Sequence, residues 1–196
     1  NTCVACHQNL DADIAGAGHP ELFFELDQQS VDEPKHWRDA EGSSARLWLV
    51  GQAVALRELS WRLAQNQNAN DETKAQWRAL VWLLSKVEPT LVESDYATVQ
   101  AEADTLARRI ARENLDAAFT RRLTSDLAAS ELPAGSNEIA FHCAQRLFLA
   151  LQSLTRADAK IANQLNDLHA TVRATTQFDP AEFSAHLATF RRAAFP

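Results

Sequence analysis

The sequence predicts an all-α protein, an antiparallel bundle of six or seven helices behind an irregular N-terminal wrapping segment. Two observations predict it. The composition is 46% hydrophobic with only five Gly and six Pro, and its abundant Ala, Leu, Gln, Glu and Arg favour helix over strand. From Ser43 onward, apolar residues recur at helical spacing between short polar or Pro-containing breaks, the pattern of successive amphipathic helices. Residues 1–42 are read as the wrapping segment and 43–196 as the bundle, one compact unit within the size that a single core can serve.

The first helix is predicted from Ser44 to about Gln67. Leu47, Val50, Val54 and Trp61 fall on one side and Leu49, Ala53, Leu56 and Leu63 on the other, so it should be central. Asn70-Asp71-Glu72 starts a second helix whose Trp77, Leu80, Val81, Leu84 and Val87 form one stripe before Pro89. A third, more polar helix runs from about Ser94 to Asn114 on Val99, Ala103, Leu106 and Ile110. Its pattern extends, with or without a kink, through Phe119, Leu123 and Leu127.

Leu132-Pro133-Ala134-Gly135 breaks the chain, and Ser136 caps a helix bearing Ile139, Cys143, Leu147, Ala150 and Leu154. Thr155-x-x-Asp158 resembles a capping box ahead of Ile161, Leu165, Leu168 and Val172. Asp179-Pro180-Ala181-Glu182 places Asp at N-cap, Pro at N1 and Glu at N3 of a last helix carrying Phe183, Leu187, Phe190 and Ala194. Trp48, Trp61, Trp77 and Trp82 sit at helical spacings and are read as core, while Trp37 belongs to the wrapping segment.

The chemistry is concentrated near the start. Cys3-Val4-Ala5-Cys6-His7 spells C-x-x-C-H, the attachment signature of a c-type haem. Cys3 and Cys6 would form thioethers with the porphyrin vinyl groups, and His7 would be the proximal iron ligand. A dithiol redox pair would need a βαβ setting, and a zinc site a second ligand pair. The remaining cysteine, Cys143, lies on an apolar stripe and reads as a buried small hydrophobe.

The formal charge of −7 argues against nucleic acid or an anionic membrane surface as partner. No apolar run reaches the length of a membrane span. Methionine is absent, which implies that something has been removed upstream, a cleaved signal peptide or a longer polypeptide. Export to the periplasm or another exported location is therefore expected. Without Met, the His/Met ligation of many cytochromes c is impossible.

The sixth iron position is thus left to histidine, another donor, or nothing. His19 stands in Gly16-Ala17-Gly18-His19-Pro20, where glycine permits close backbone approach to a flat ligand. Its twelve-residue separation from His7 spans up to about 40 Å when extended, enough to pass round a porphyrin edge. His36, in Pro34-Lys35-His36-Trp37, is the alternative distal ligand. His142 and His169 flank apolar stripes and read as hydrogen-bonded core histidines, and His186 follows Glu182 by four residues and reads as its partner on an exposed face.

The order C-x-x-C-H, then Gly18-His19-Pro20-Glu21-Leu22-Phe23-Phe24-Glu25-Leu26, then Pro34-Lys35-His36-Trp37 resembles the C-terminal haem segment of bacterial multihaem c-type cytochromes. The run Ala140 to Leu151 is also similar to a downstream helix of that group. The first forty residues carry nearly all of the resemblance, which implies that the Gly-His-Pro histidine, His19, is a haem ligand. The relatives carry several C-x-x-C-H motifs and this chain has one, so His19 or His36 is also open to service for a haem held upstream or on another chain.

The reading that follows is a non-enzymatic electron-transfer protein with one covalent haem c, its expected partners being redox proteins, including other cytochrome chains or an upstream multihaem region. Two alternatives stand beside it. One is a five-coordinate haem enzyme or gas-binding sensor, using His36 or Arg38 on an open distal face. The other is a haem-bearing terminal module whose helical part is an interaction scaffold.

Overall fold

A computed structural model describes residues 44–65, 69–155, 159–173 and 178–196. Among these residues there are seven α-helices and no strand, as the all-α expectation required. In chain order they are α1 (Ser44–Gln65), α2 (Asp71–Ser85), α3 (Tyr96–Ile110), α4 (Ala117–Ala128), α5 (Asn137–Leu154), α6 (Ala162–Thr171) and α7 (Pro180–Ala194), with a 3₁₀ turn at Ala159–Ile161 ahead of α6. The wrapping segment, residues 1–42, lies outside the described residues.

Helix α1 is central because it is apolar nearly all round. Gly51 to Leu56 are six consecutive buried residues, more than one full turn of about 3.6 residues. It packs chiefly on α3 and also on α2 and α5, and α5 in turn meets α2, α4, α6 and α7. On α5, Ala140 to Ala144 are likewise buried without interruption. The bundle is therefore organised about two helices with no wholly solvent-facing side, and one continuous apolar core joins all seven.

Most helix starts are fixed by side-chain caps, each satisfying a backbone N–H that has no intrahelical acceptor. Asn70 Oδ1 accepts from Thr73 N at 2.8 Å, Ser136 Oγ from Ile139 N at 3.4 Å, and Asp179 Oδ1 from Ala181 N at 2.8 Å, with Pro180 opening α7. The third helix, expected from about Ser94, begins at Tyr96 with Asp95 as its cap, taking Thr98 N at 3.0 Å and the Thr98 hydroxyl at 2.7 Å. It also stops at Ile110, and Asp116 begins α4 as a separate helix by accepting from Phe119 N at 2.7 Å. A side-chain acceptor that competes for backbone N–H groups favours a new helix start over continuation of the old one.

Other expectations need correction. Thr155 does not open a capping box; its hydroxyl turns back to the Leu151 carbonyl at 2.6 Å and ends α5. Asp158 lies outside the described residues, and α6 starts at Ala162 behind Ile161, whose side chain makes no cap hydrogen bond. Trp48 and Trp77 are core residues and Trp82 packs against the core, but Trp61 is 49% exposed. Leu59, Ser60 and Leu63 around it are buried, so Trp61 lies on the side of this last part of α1 that no neighbouring helix covers.

Between helices, Arg57 of α1 binds Asp104 of α3 at 2.9 Å. Arg109 of α3 binds Glu88, just beyond α2, at 2.5 Å. Phe178, immediately before α7, meets Phe141 of α5 and Phe183 of α7 at centroid separations of 5.4 and 6.3 Å.

Candidate functional site

The expected haem residues Cys3, Cys6 and His7, and the expected distal ligands His19 and His36, lie outside the described residues. Trp37 and Arg38 lie there too. Within the described residues no group of three or more His, Cys, Asp or Glu is arranged to hold a metal ion. The chemistry visible in the bundle is instead a buried polar seam between its two central helices.

The seam consists of Trp48 and Gln52 on α1 and His142, Gln145 and Arg146 on α5. Gln52, His142 and Arg146 are all buried. An Arg146 Nη1–H donates to Gln52 Oε1 at 3.2 Å. Trp48 precedes Gln52 by four residues, on the same face of α1. Its indole N–H is buried and meets no acceptor. Gln52, His142, Arg146 and Ser153 each have further interactions beyond these.

His142 is the core histidine that its sequence setting suggested. Its Nδ1 lies 3.3 Å from Gln145 Oε1, an arrangement that selects the Nδ1–H tautomer as donor. Burial, reinforced by the neighbouring Arg146 charge, pushes its pKa from 6.5 down to about 4, so the ring is neutral near pH 7. Cys143 beside it is also fully buried, and loss of solvation pushes the thiol up to about 12. At neutral pH it is a protonated small hydrophobe and a poor nucleophile.

The other two helical histidines differ from expectation. His169 is exposed, and its ring lies parallel to Phe148 at 5.0 Å, 6° between planes. It is a stacked surface residue, because position 169 falls just outside the stripe that buries Leu168 and Val172. His186 is half-buried and forms no ion pair with Glu182, whose side of α7 is exposed.

Sequence reasoning missed the buried Gln52, Ser60, Thr124, Arg146 and Ser153. One signal was available, and only for Gln52, which interrupts the otherwise apolar run from Leu47 to Leu56. The open groove of about 780 Å³ bounded by α4, α5 and α7 is lined by residues such as Leu132, Ala140, Leu187, Arg191 and Phe195, and includes neither His nor Cys.

No family model, no curated protein and no solved structure matches the chain. The class defined by the described residues is an all-α helical bundle with a polar seam between its two central helices.

Proposed function

We propose that this chain is a c-type cytochrome that carries one covalently attached haem and transfers single electrons. The observation that carries the reading is Cys3-Val4-Ala5-Cys6-His7, whose two thiols three positions apart, followed at once by an imidazole, are the donor set that a c-type haem requires. The structure adds a supporting point. The third thiol, Cys143, is enclosed in the helical core with its pKa pushed up to about 12, so Cys3 and Cys6 are the pair left for thioether chemistry.

A bound haem c supplies a one-electron iron couple. Cys3 and Cys6 fasten it, and His7 binds the iron from one side. His19 takes the sixth position, with His36 as the alternative. In the absence of Met anywhere in the chain, bis-histidine ligation leaves no open coordination position for substrate and favours electron transfer over catalysis. The three helical histidines are otherwise engaged or placed: His142 beside Gln145, His169 on Phe148, and His186 on the outer helix α7. Thioether attachment takes place outside the cytoplasm, so the proposed location is the periplasm or its equivalent.

The test is optical and magnetic spectroscopy of the protein matured with haem, in the native sequence and in His19→Ala and His36→Ala. Low-spin spectra in the native protein, converted to high-spin by His19→Ala, support the assignment. A native ferric form that is already high-spin and binds CO on reduction overturns electron transfer in favour of an open haem site. Unchanged low-spin spectra in both variants eliminate both ligands.

A further inference from the structure

The groove of about 780 Å³ beside α7 is bounded on one side by that helix from its first turn to its last. Ala181, Ser184, Ala188, Arg191 and Phe195 succeed one another along this wall at steps of three and four residues, one continuous helix face. The facing wall is the end of α4, the loop over 129–136 and Ala140 of α5. The fifteen residues of α7 give the groove a length of about 22 Å at 1.5 Å per residue. About four turns of a second helix match that length, whereas a compact small molecule would occupy a fraction of it.

The lining is apolar over most of its extent, and its positive charge is gathered at one end. Leu132, Ala140, Leu187 and Phe195 supply apolar surface, and Arg191 and Arg192 stand exposed in the last turn of α7. Elsewhere in the bundle arginines meet carboxylates: Arg57 and Arg108 share Asp104, Arg78 binds Glu93, and Arg109 binds Glu88. Among the described residues Arg191 and Arg192 have no such partner. An Arg192 Nη2–H donates to the uncharged Thr189 hydroxyl at 3.1 Å. Glu131 is the one carboxylate on the lining, and it forms an ion pair with neither arginine.

This charge selects both the composition and the direction of an incoming helix. A helix laid antiparallel to α7 brings its own N-terminus to the last turn of α7. Acidic side chains are favoured in a first turn by the helix dipole, and here they would also meet two guanidiniums able to donate paired N–H groups. A helix laid the other way would present its last turn, where basic side chains are favoured, to the same two cations.

We propose that this groove docks a helix of about four turns from another protein, antiparallel to α7, with an apolar stripe on the groove floor and an acidic first turn against Arg191 and Arg192. The inference rests on the groove and its charge and is independent of whether a haem is attached.

A display library of helical peptides of about sixteen residues, randomised on one face and in the first turn, is selected on the full chain, and the strongest binder is titrated by fluorescence anisotropy. Selected peptides should be enriched in Asp and Glu in the first turn, and their affinity should fall as salt rises. The double reversal Arg191→Glu with Arg192→Glu should weaken the selected peptide by about tenfold and strengthen its twin bearing Lys in the first turn. Ser184→Trp, at an exposed position, fills the groove and should weaken both peptides by at least about tenfold. Unchanged unfolding midpoints establish that these surface variants fold. Failure to recover any saturable binder, binders without charge bias, or binders indifferent to both variants overturn the proposal. A dimer of the native chain that Ser184→Trp dissociates overturns it too, since a second copy would then occupy the groove.

Discussion

The indole N–H of Trp77 on α2 donates to the hydroxyl of Ser60 on α1 at 2.8 Å, with Ser60 fully enclosed and Trp77 nearly so. A large aromatic can be buried there because its one polar atom is satisfied by a neighbouring helix. The Trp77 ring also meets Tyr96 of α3 in a T-shaped contact with centroids 5.0 Å apart, so Trp77 joins three helices.

Ser60→Ala should therefore cost about 1–3 kcal/mol, the penalty of leaving a buried donor without its acceptor. Ser60→Thr, which keeps the hydroxyl, should retain part of that stability if its added methyl is accommodated. Denaturant unfolding of the two variants measures the difference. Equal stability of Ser60→Ala and the native chain would show that the bond is not contributing.

His142 gives the bundle a specific acid sensitivity. Its folded pKa of about 4 lies below the ordinary value of 6.5, so between those values the unfolded chain binds a proton that the folded chain refuses. Stability is at its full value above about pH 6.5, falls as the pH drops toward 4, and the loss then levels off. The loss is on the order of 3 kcal/mol at its fullest. His142→Gln keeps a polar partner for Gln145 and removes the titration, so its stability should vary less than that of the native chain over this window. Parallel pH profiles in the two proteins would contradict the assignment.

Gly135 ends the turn between α4 and α5 with φ of +111°, and a Cβ built there would meet nothing within 4 Å. Gly135→Ala should nonetheless destabilise the protein by about 1–3 kcal/mol, since the backbone region itself is unfavourable for an L side chain. The cost arises from conformation and not from crowding. A neutral Gly135→Ala, by thermal or denaturant unfolding, would contradict this.

These positions show what the sequence made legible. The Pro133–Gly135 break, the caps at Asn70, Ser136 and Asp179, and the central placement of α1 follow from local chemistry, because a turn glycine or a capping oxygen acts within a few residues of itself. Asp116 and Thr155 were harder, since Asp can sit within a helix or start one, and a Thr hydroxyl can bond forward or backward. Trp61 depended on which side of α1 the neighbouring helices leave uncovered. Arg146, Gln52 and Ser60 depended on which helices meet, which helical periodicity alone does not specify. Of the candidate haem site, the donors were legible as a five-residue motif, and their placement against the bundle lies outside the described residues.

The most direct measurement of the central claim is the intact mass of the protein after maturation in a host able to attach haem c, denatured and alkylated at its thiols. The account predicts one covalently retained haem and one alkylated thiol, Cys143, which becomes reactive only when the core that buries it is unfolded. A mass without haem, with three alkylated cysteines, would contradict it.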